Sequence, residues 1–559
     1  MKNGTNGIGN SSFLTDRAPH ATASPRNIMG TIVRGSLQSG IQMKLFGEQS
    51  VEEIRAGKFV VVEGTRHEFF CMIVDVALDC VSPQILANPP APDDDFLRQV
   101  LAGTSTFGTI TLRPLLMRPR GGIEFEPVKT IPTHFSSVGD ATEEDVAAIF
   151  GSEGEGNAFR IGTPLDMDDI PVCLDLGKFV ERSNGIFGKS GTGKTFLTRI
   201  CLCGIIKHDA AVNLVFDMHG EYGWKGTVED PTRPSVRGLK QFFQSRVSIF
   251  SLDPESSRRR GVKVDCQVRI PYAQIKSEDI QLLANELNLN PSAAETTYLL
   301  ERHYGDGWLV ELNRMDGEAI KQFAELSGAN ALSLAALQRK LGRMLKECSG
   351  FMIETVPGQA DDAVRQIMGC LLKGIHVVLE FGQYRKPIQY MLVANILTRQ
   401  IHEEYVKRME EASDDPGRRP KPVVITIEEA HKFLSSSLAS QTTFGIIARE
   451  LRKYNVTLLI VDQRPSGIDS EVLSQLGTRI TCLLNDEKDI DAVLTGVSGA
   501  QTLRGVLASL DSKQQALLLG HALPMPVVVQ TRTYDDDEFR RSMGEFNKQA
   551  AEFEPSDWK

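Results

Sequence analysis

In the first third of the chain, apolar residues come in short runs broken by Gly, Pro and Asp. Examples are GTIVRGS, IQMKLF, KFVVVEG, FFCMIVDVAL, TFGTITLRPLL and IEFEPV. Strands of this length with turn residues between them predict a small antiparallel barrel over residues 28–165, following a flexible polar tail at 1–27. NPPAPDDD, from Asn88 to Asp95, reads as an exposed loop. From Asp166 the texture changes to strand–helix alternation, as in a parallel sheet. Strands are expected at NGIFG, VNLVFD, HVVLEF, VVITIE, TLLIVD, TRITCLL and ALLLG. Between Leu252 and Gly374 the alternation stops, and SEDIQLLANELNL, SAAETTYLLERHY and ALSLAALQRKLGRMLKE read as helices. The pattern therefore places an α/β core at 166–251 and 375–523, a helical insertion at 252–374, and a closing strand with a polar tail at 524–559.

GIFGKSGTGKTFLTRI gives this core a chemistry. Gly188, Gly193, Lys194 and Thr195 satisfy Gly-x4-Gly-Lys-Thr between an apolar strand and a helix. A glycine-rich turn lets backbone N–H groups converge on phosphate oxygens, and the N-terminus of the following helix adds donors and partial positive charge. The binding residues expected are Gly188, Lys189, Ser190, Gly191, Thr192, Gly193, Lys194, Thr195 and Phe196. Lys194 reaches the β- and γ-phosphates, and the Thr195 hydroxyl reaches magnesium. The fold class expected is α/β, a RecA-like P-loop NTPase core with an N-terminal small β-barrel and a helical insertion. ATP and Mg2+ are the expected cofactors.

Composition narrows the reading. At 559 residues, three or four domains are expected. An apolar fraction of 41% with 24% charged residues describes a globular protein. No apolar run approaches membrane-spanning length and the polar start has no hydrophobic signal core, so a cytoplasmic protein without a membrane partner is expected. The nine cysteines lack Cys-x2-Cys spacing and read as reduced and mostly buried. A net charge of −10 weighs against a uniformly basic nucleic-acid binder. It is compatible with a ring that is basic only along its pore. Arg258–Arg260 and Arg418-Arg419-Pro420-Lys421 are candidate DNA contacts, and solvated surface runs in the alternative.

A triphosphatase also needs carboxylates to organise magnesium and to activate water. VVITIEEAH places Glu428 and Glu429 at the end of a buried strand, Glu428 for the metal and Glu429 for the water. Gln463, ending the next strand, either senses the γ-phosphate through its amide or caps the strand. Arg449 and Arg452 share a helix face at i and i+3. They serve either as an arginine finger toward a neighbouring subunit or in surface ion pairs with Glu450.

Taken in order, these motifs resemble the HerA-type ATPases of the HerA/FtsK branch of P-loop motors. The resemblance is carried by IGTPLDMDDIPVCLDLGKFVERSNGIFGKSGTGKT, VFDMHGEYG (Asp217 to Gly223), IEEAHKFL, ARELRKYNV, VDQRPSGID and GHALPMPVVVQTR. It implies a homohexameric ring that hydrolyses ATP between subunits and moves double-stranded DNA through its centre. It also implies a nuclease or sirtuin-like effector as partner, in DNA-end processing or anti-phage defence. Glu429 is then catalytic, and Arg449 or Arg452 is the finger. Glu428 stands where Asp is commoner in P-loop ATPases, and Leu451 where the family commonly has glycine. An ATP-binding scaffold that licenses a partner enzyme, and a secretion or conjugation coupling ATPase, are the alternatives.

Overall fold

The computed structural model describes residues 26–227, 235–354, 362–439, 442–449 and 453–544. In the N-terminal third, strands Gly40–Leu45, Ile28–Ser36, Ser137–Asp140, Phe59–Glu63, His67–Cys80, Thr106–Pro119 and Glu126–Pro127 neighbour one another in that order. A further pairing of Gly40–Leu45 with Thr106–Pro119 closes the sheet into a barrel, and its ladders are antiparallel. Closure leaves few unpaired strand edges.

The two-residue period of the strands explains how the barrel is filled and how it is attached. Val60, Val62, Phe69, Cys71 and Ile73 belong to the barrel's interior. Their sequence neighbours Phe59, Val61 and Phe70 point to the other face, in one apolar cluster with Phe159, Ile161 and Phe179. Because successive side chains on a strand alternate faces, apolar residues at both parities make a strand that is buried twice. Each such side chain contributes about 1.5–3 kcal/mol when fully buried. The outward set therefore fixes the barrel to the layer beneath it.

That layer is a twelve-stranded sheet among the described residues. Its spatial order begins Cys266–Gln267, Val247–Ser251, His376–Glu380, Val212–Asp217, Val423–Glu428 and Val456–Asp462. It continues with Asn184–Phe187, Thr478–Thr481, Gln515–Gly520, Val527–Thr531, Ala158–Pro164 and Val172–Asp175. The strands from Cys266–Gln267 to Thr478–Thr481 pair in parallel. The last four extend the sheet in antiparallel fashion. Val212–Asp217, His376–Glu380, Val423–Glu428 and Val456–Asp462 are buried at every position, as parallel strands covered on both faces must be. This is the α/β P-loop core expected from the sequence. The insertion packs its helices around the fully buried Trp308, whose indole N–H donates to the Ile275 carbonyl at 2.9 Å. Its longest helix, Ala331–Glu347, buries Leu334, Leu337, Leu341, Met344 and Leu345, one face at helical spacing. No helix among the described residues is long and apolar enough to cross a membrane.

Three boundaries differ from the sequence reading. Ala158–Pro164, expected in the barrel at 28–165, pairs with Val527–Thr531 and joins the central sheet. Strand periodicity identifies a strand but not the sheet it joins. The closing strand, assigned to a separate segment at 524–559, lies inside the same sheet for the same reason. Arg26, placed in the flexible tail at 1–27, is only 6% exposed in its side chain and sits among Asp145, Glu63 and Glu68.

The Arg26 cluster yields a test. Burial pushes the Asp145 carboxyl up, but the hydrogen bond from Arg26, the Thr142 amide and the Arg26 charge outweigh it and hold Asp145 below the ordinary carboxylate range. A depressed carboxylate stabilises the fold above its unfolded pKa of about 3.9 and loses that contribution as pH falls through the folded value. Arg26→Ala leaves the buried Asp145 with only Arg118, at 3.5 Å, and is expected to cost up to about 3–5 kcal/mol at pH 7. In thermal melts the deficit should shrink as the pH is lowered below about 4. A deficit that does not change with pH would assign the loss to packing instead.

Candidate nucleotide-binding and hydrolysis site

The Asn184–Phe187 strand feeds into the helix Lys194–Lys207 through Gly188, Gly191 and Gly193, at φ of 152°, 80° and 96°. These are values that residues with a Cβ rarely adopt. A Cβ built at Gly191 or Gly193 meets nothing within 4 Å, so both face an open cradle. One built at Gly188 meets the Cβ of Cys482 and the Oγ1 of Thr192 at 2.8 Å. The loop is pinned from behind, where Lys189 N–H donates to the Leu483 carbonyl at 3.1 Å and Thr192 Oγ1 donates to the Lys189 carbonyl at 2.8 Å. Lys194 Nζ donates to the same Lys189 carbonyl at 2.8 Å. Burial holds the Lys194 ammonium below its ordinary pKa, against the opposing pull of Glu429, Asp462 and Glu428. A desolvated ammonium resting on one carbonyl gains from any anion delivered into the cradle.

A cavity of about 820 Å³ opens over this loop, lined by Ser190 to Phe196. That is ample for a nucleoside triphosphate. Its far wall is Arg199, Glu221, Val236, Lys513, Gln514 and Thr531 to Tyr534. The sequence reading missed this wall. Arg199, Glu221, Thr531 and Arg532 fall inside quoted motifs without a site role being read from them, and residues 531–534 reach the loop because the closing strand lies within the sheet.

The strand ends beside the loop carry the carboxylates. Glu428 ends its strand almost fully buried, with Tyr222 donating its hydroxyl to Oε1 at 2.8 Å. Its Oε2 is buried with no hydrogen-bond partner among the described residues. Burial, reinforced by Asp217, pushes the Glu428 carboxyl up to about 8, against the Tyr222 hydrogen bond. A cation at the unpartnered Oε2 would favour the ionised form that burial disfavours, so the position suits a cation ligand on its geometry. The half-buried Thr195 lines the cavity, and its hydroxyl with Glu428 Oε2 would make a donor set that fits magnesium. Glu429 adopts φ of 52°. A left-handed residue with a Cβ costs on the order of 1–3 kcal/mol and persists only where its surroundings hold it. Gln463 Nε2 supplies part of that hold by donating to Glu429 Oε1 at 3.0 Å. The structure thus brings together the phosphate loop, Glu428, Glu429 and Gln463.

Other groups at this edge escaped the sequence reading. Asp462 accepts from the His431 and Arg464 backbone N–H groups and lies 3.0 Å from His431 Nδ1. The Asp462 hydrogen bond holds His431 above its ordinary pKa. Tyr390 donates its hydroxyl to the Glu428 carbonyl at 3.1 Å.

The arginines fall differently. Arg449 ends the helix Thr443–Arg449 and is engaged in its own chain, with Glu471 at 3.2 Å and Asp469 at 3.8 Å. Arg452 lies outside the described residues. The Arg258–Arg260 run is not a loop. It closes the helix Pro254–Arg259, and Arg260 turns inward to the fully buried Glu380 at 2.6 Å. In the second run, Lys421 pairs with Asp209 at 2.5 Å and Arg418 with Asp415 at 3.3 Å.

A P-loop between strand and helix, with carboxylates at the ends of the adjacent parallel strands, defines a P-loop ATPase. The profile of the HerA helicase central domain matches residues 159–401, and that of the HAS barrel domain matches residues 29–131. A probable helicase of Methanocaldococcus jannaschii is 31% identical over 542 residues, covering 91% of this chain and 96% of that protein. The DNA double-strand break repair helicase HerA of Sulfolobus acidocaldarius is 23% identical over 501 residues, covering 87% and 90%. Among solved structures, VirB4 of Thermoanaerobacter pseudethanolicus aligns with a TM-score of 0.45 at 13% identity, over 69% of this chain and 99% of that one. The chain belongs to the HerA helicase family of P-loop ATPases.

The cradle geometry separates two glycine substitutions. Gly188→Ala forces Cys482 or Thr192 to move and should lower the melting temperature. Gly191→Ala adds only left-handed strain, about 1–2 kcal/mol, and should melt close to wild type while weakening binding of a fluorescent ATP analogue. Equal melting losses in the two variants would contradict the open cradle.

Proposed function

We propose that the chain is an ATP-driven translocase of double-stranded DNA that works as a homohexameric ring. The observation that carries this reading is the convergence of the phosphate loop, Glu428, Glu429 and Gln463 at one sheet edge, in a chain of a helicase family. The loop amides and Lys194 bind the β- and γ-phosphates. Thr195 and Glu428 hold magnesium, which when bound neutralises charge on the phosphate oxygens. Glu429 orients and deprotonates the attacking water. Gln463, now bonded to Glu429, is placed to exchange that bond for one to the γ-phosphate and so report nucleotide state. The finger is Arg449 or Arg452 of an adjacent subunit, and Arg449 takes that role by releasing Glu471.

The names of relatives support DNA double-strand break repair as the setting; a nuclease or sirtuin-like effector as partner and the cytoplasm as location are further parts of this proposal. Few basic side chains per subunit suffice for a pore, because sixfold repetition multiplies them. This is compatible with a net charge of −10 per chain. Binding through phosphates is independent of sequence and falls steeply with salt.

Lys194→Ala should abolish hydrolysis. Glu429→Gln should keep nucleotide binding and lose about 100-fold or more in turnover, the range for removal of a general base. Normal turnover in Glu429→Gln with a dead Glu428→Gln would reverse the two roles. For the translocase itself, duplex DNA should stimulate the ATPase at low salt, and the stimulation should fade as salt rises. An ATPase indifferent to duplex, alone and with its partner, leaves the scaffold reading in its place.

A further inference from the structure

The buried Tyr222 connects the segment after the Val212–Asp217 strand to the Glu428 carboxylate. Asp217 is the anchor. Its Oδ1 accepts from Glu221 N–H at 2.9 Å, and its Oδ2 from Tyr222 N–H at 2.8 Å and Gly223 N–H at 3.4 Å. These bonds fold the chain back over the strand end and carry the Tyr222 ring, fully buried, toward the neighbouring strand. There its hydroxyl donates to Glu428 Oε1 at 2.8 Å, while Oε2 has no partner among the described residues. Arg199 supports the arrangement from the phosphate-loop helix. Its Nη2 donates to the Glu221 carbonyl at 2.6 Å, and its guanidinium lies 5.9 Å from the centroid of the Tyr222 ring.

Volume alone does not explain a tyrosine here. A phenylalanine fills the same space without the cost of burying a hydroxyl. The partner that satisfies this hydroxyl is one oxygen of a carboxylate whose other oxygen is left unpartnered. A glutamate has one more rotatable bond than an aspartate, and fixing Oε1 removes the freedom that the extra methylene introduces. We propose that Tyr222 is a positioning residue, which holds Glu428 by Oε1 so that Oε2 stays available to the magnesium accompanying bound ATP. The inference rests on the metal-binding role given to Glu428 above. Asp217 acts through it, because its oxygens are occupied by the three amides that place Tyr222.

The test is a double-mutant cycle on the full chain, with Tyr222→Phe, Glu428→Gln and the pair. The readout is binding of a fluorescent ATP analogue, titrated with MgCl2 and measured separately in EDTA. Tyr222→Phe should raise the half-saturating magnesium concentration about tenfold, as expected for loss of a hydrogen bond to a charged group. Affinity in EDTA should be unchanged. In the Glu428→Gln background, Tyr222→Phe should have no further effect on the magnesium midpoint. Equal effects in both backgrounds, or loss confined to EDTA affinity, would overturn the positioning role and leave a packing one. If Glu428→Gln leaves the magnesium midpoint unmoved, the metal role of Glu428 fails. If Glu428→Gln shifts it and Tyr222→Phe does not, only the positioning by Tyr222 fails. Should Tyr222→Phe not fold, 3-fluorotyrosine at 222 keeps the ring and strengthens the donor. It should then move the magnesium midpoint, and an unmoved midpoint would overturn the proposal.

Discussion

Four neighbouring parallel strands of the central sheet end in buried carboxylates: Glu380, Asp217, Glu428 and Asp462. Asp217 and Glu380 are direct partners across their ladder. Such a row is costly, since each charge loses water and faces another of the same sign. The local architecture can be read as the way each member is answered. Asp217 takes three backbone amides, Asp462 takes two amides and His431, and Glu380 takes Arg260 and Ser257. Glu380 Oε1 and Glu428 Oε2 both lack a partner among the described residues, but Glu380 has the Arg260 cation beside it whereas Glu428 has a single neutral donor. Glu428 is the member with neither a cation nor a backbone amide on its side chain among the described residues, one strand away from the pair formed by Val456–Asp462 and the phosphate-loop strand, and a bound cation would complete it.

The insertion is tied to this row, and the barrel to the phosphate loop by a different route. Arg260 and Ser257 lie at the start of the insertion, and both reach Glu380. On the other side, Arg113 of the barrel donates to the carbonyls of Ser498 and Gly499 at the start of the helix Ala500–Ala508. The segment before that helix holds the Leu483 carbonyl, which accepts from Lys189 of the phosphate loop, and Asp489, which accepts from Ser466 just after Gln463. The barrel thus contacts a segment bonded to the phosphate loop, and the insertion contacts the strand paired with Val212–Asp217. This is the connectivity a motor requires if force or partner binding is to alter hydrolysis.

Much of this was legible in the sequence. The phosphate loop is local, because Gly188, Gly191, Gly193, Lys194 and Thr195 act where they stand. The seven core strands expected from apolar runs are present, since a strand covered on both faces has to be apolar throughout. Val247–Ser251 went unnamed because Ser248 and Ser251 interrupt its apolar run. Long-range pairing was not legible. Nothing in RIGTP announces that it lies against VVVQT, and nothing in the Arg258–Arg260 run announces that Arg260 turns inward to Glu380. Tyr222 was visible within a family motif, but its meaning depends on an oxygen of Glu428, 206 residues further along the chain.

The central claim is that hydrolysis at this edge moves duplex DNA. The most direct measurement is displacement of a third strand from a DNA triplex by the wild-type protein, followed over time with ATP and magnesium present. The account predicts displacement that requires hydrolysis, is lost in Glu429→Gln, and is not replaced by ATP binding alone. Full hydrolysis without displacement, on duplex to which the protein is shown to be bound, would contradict it.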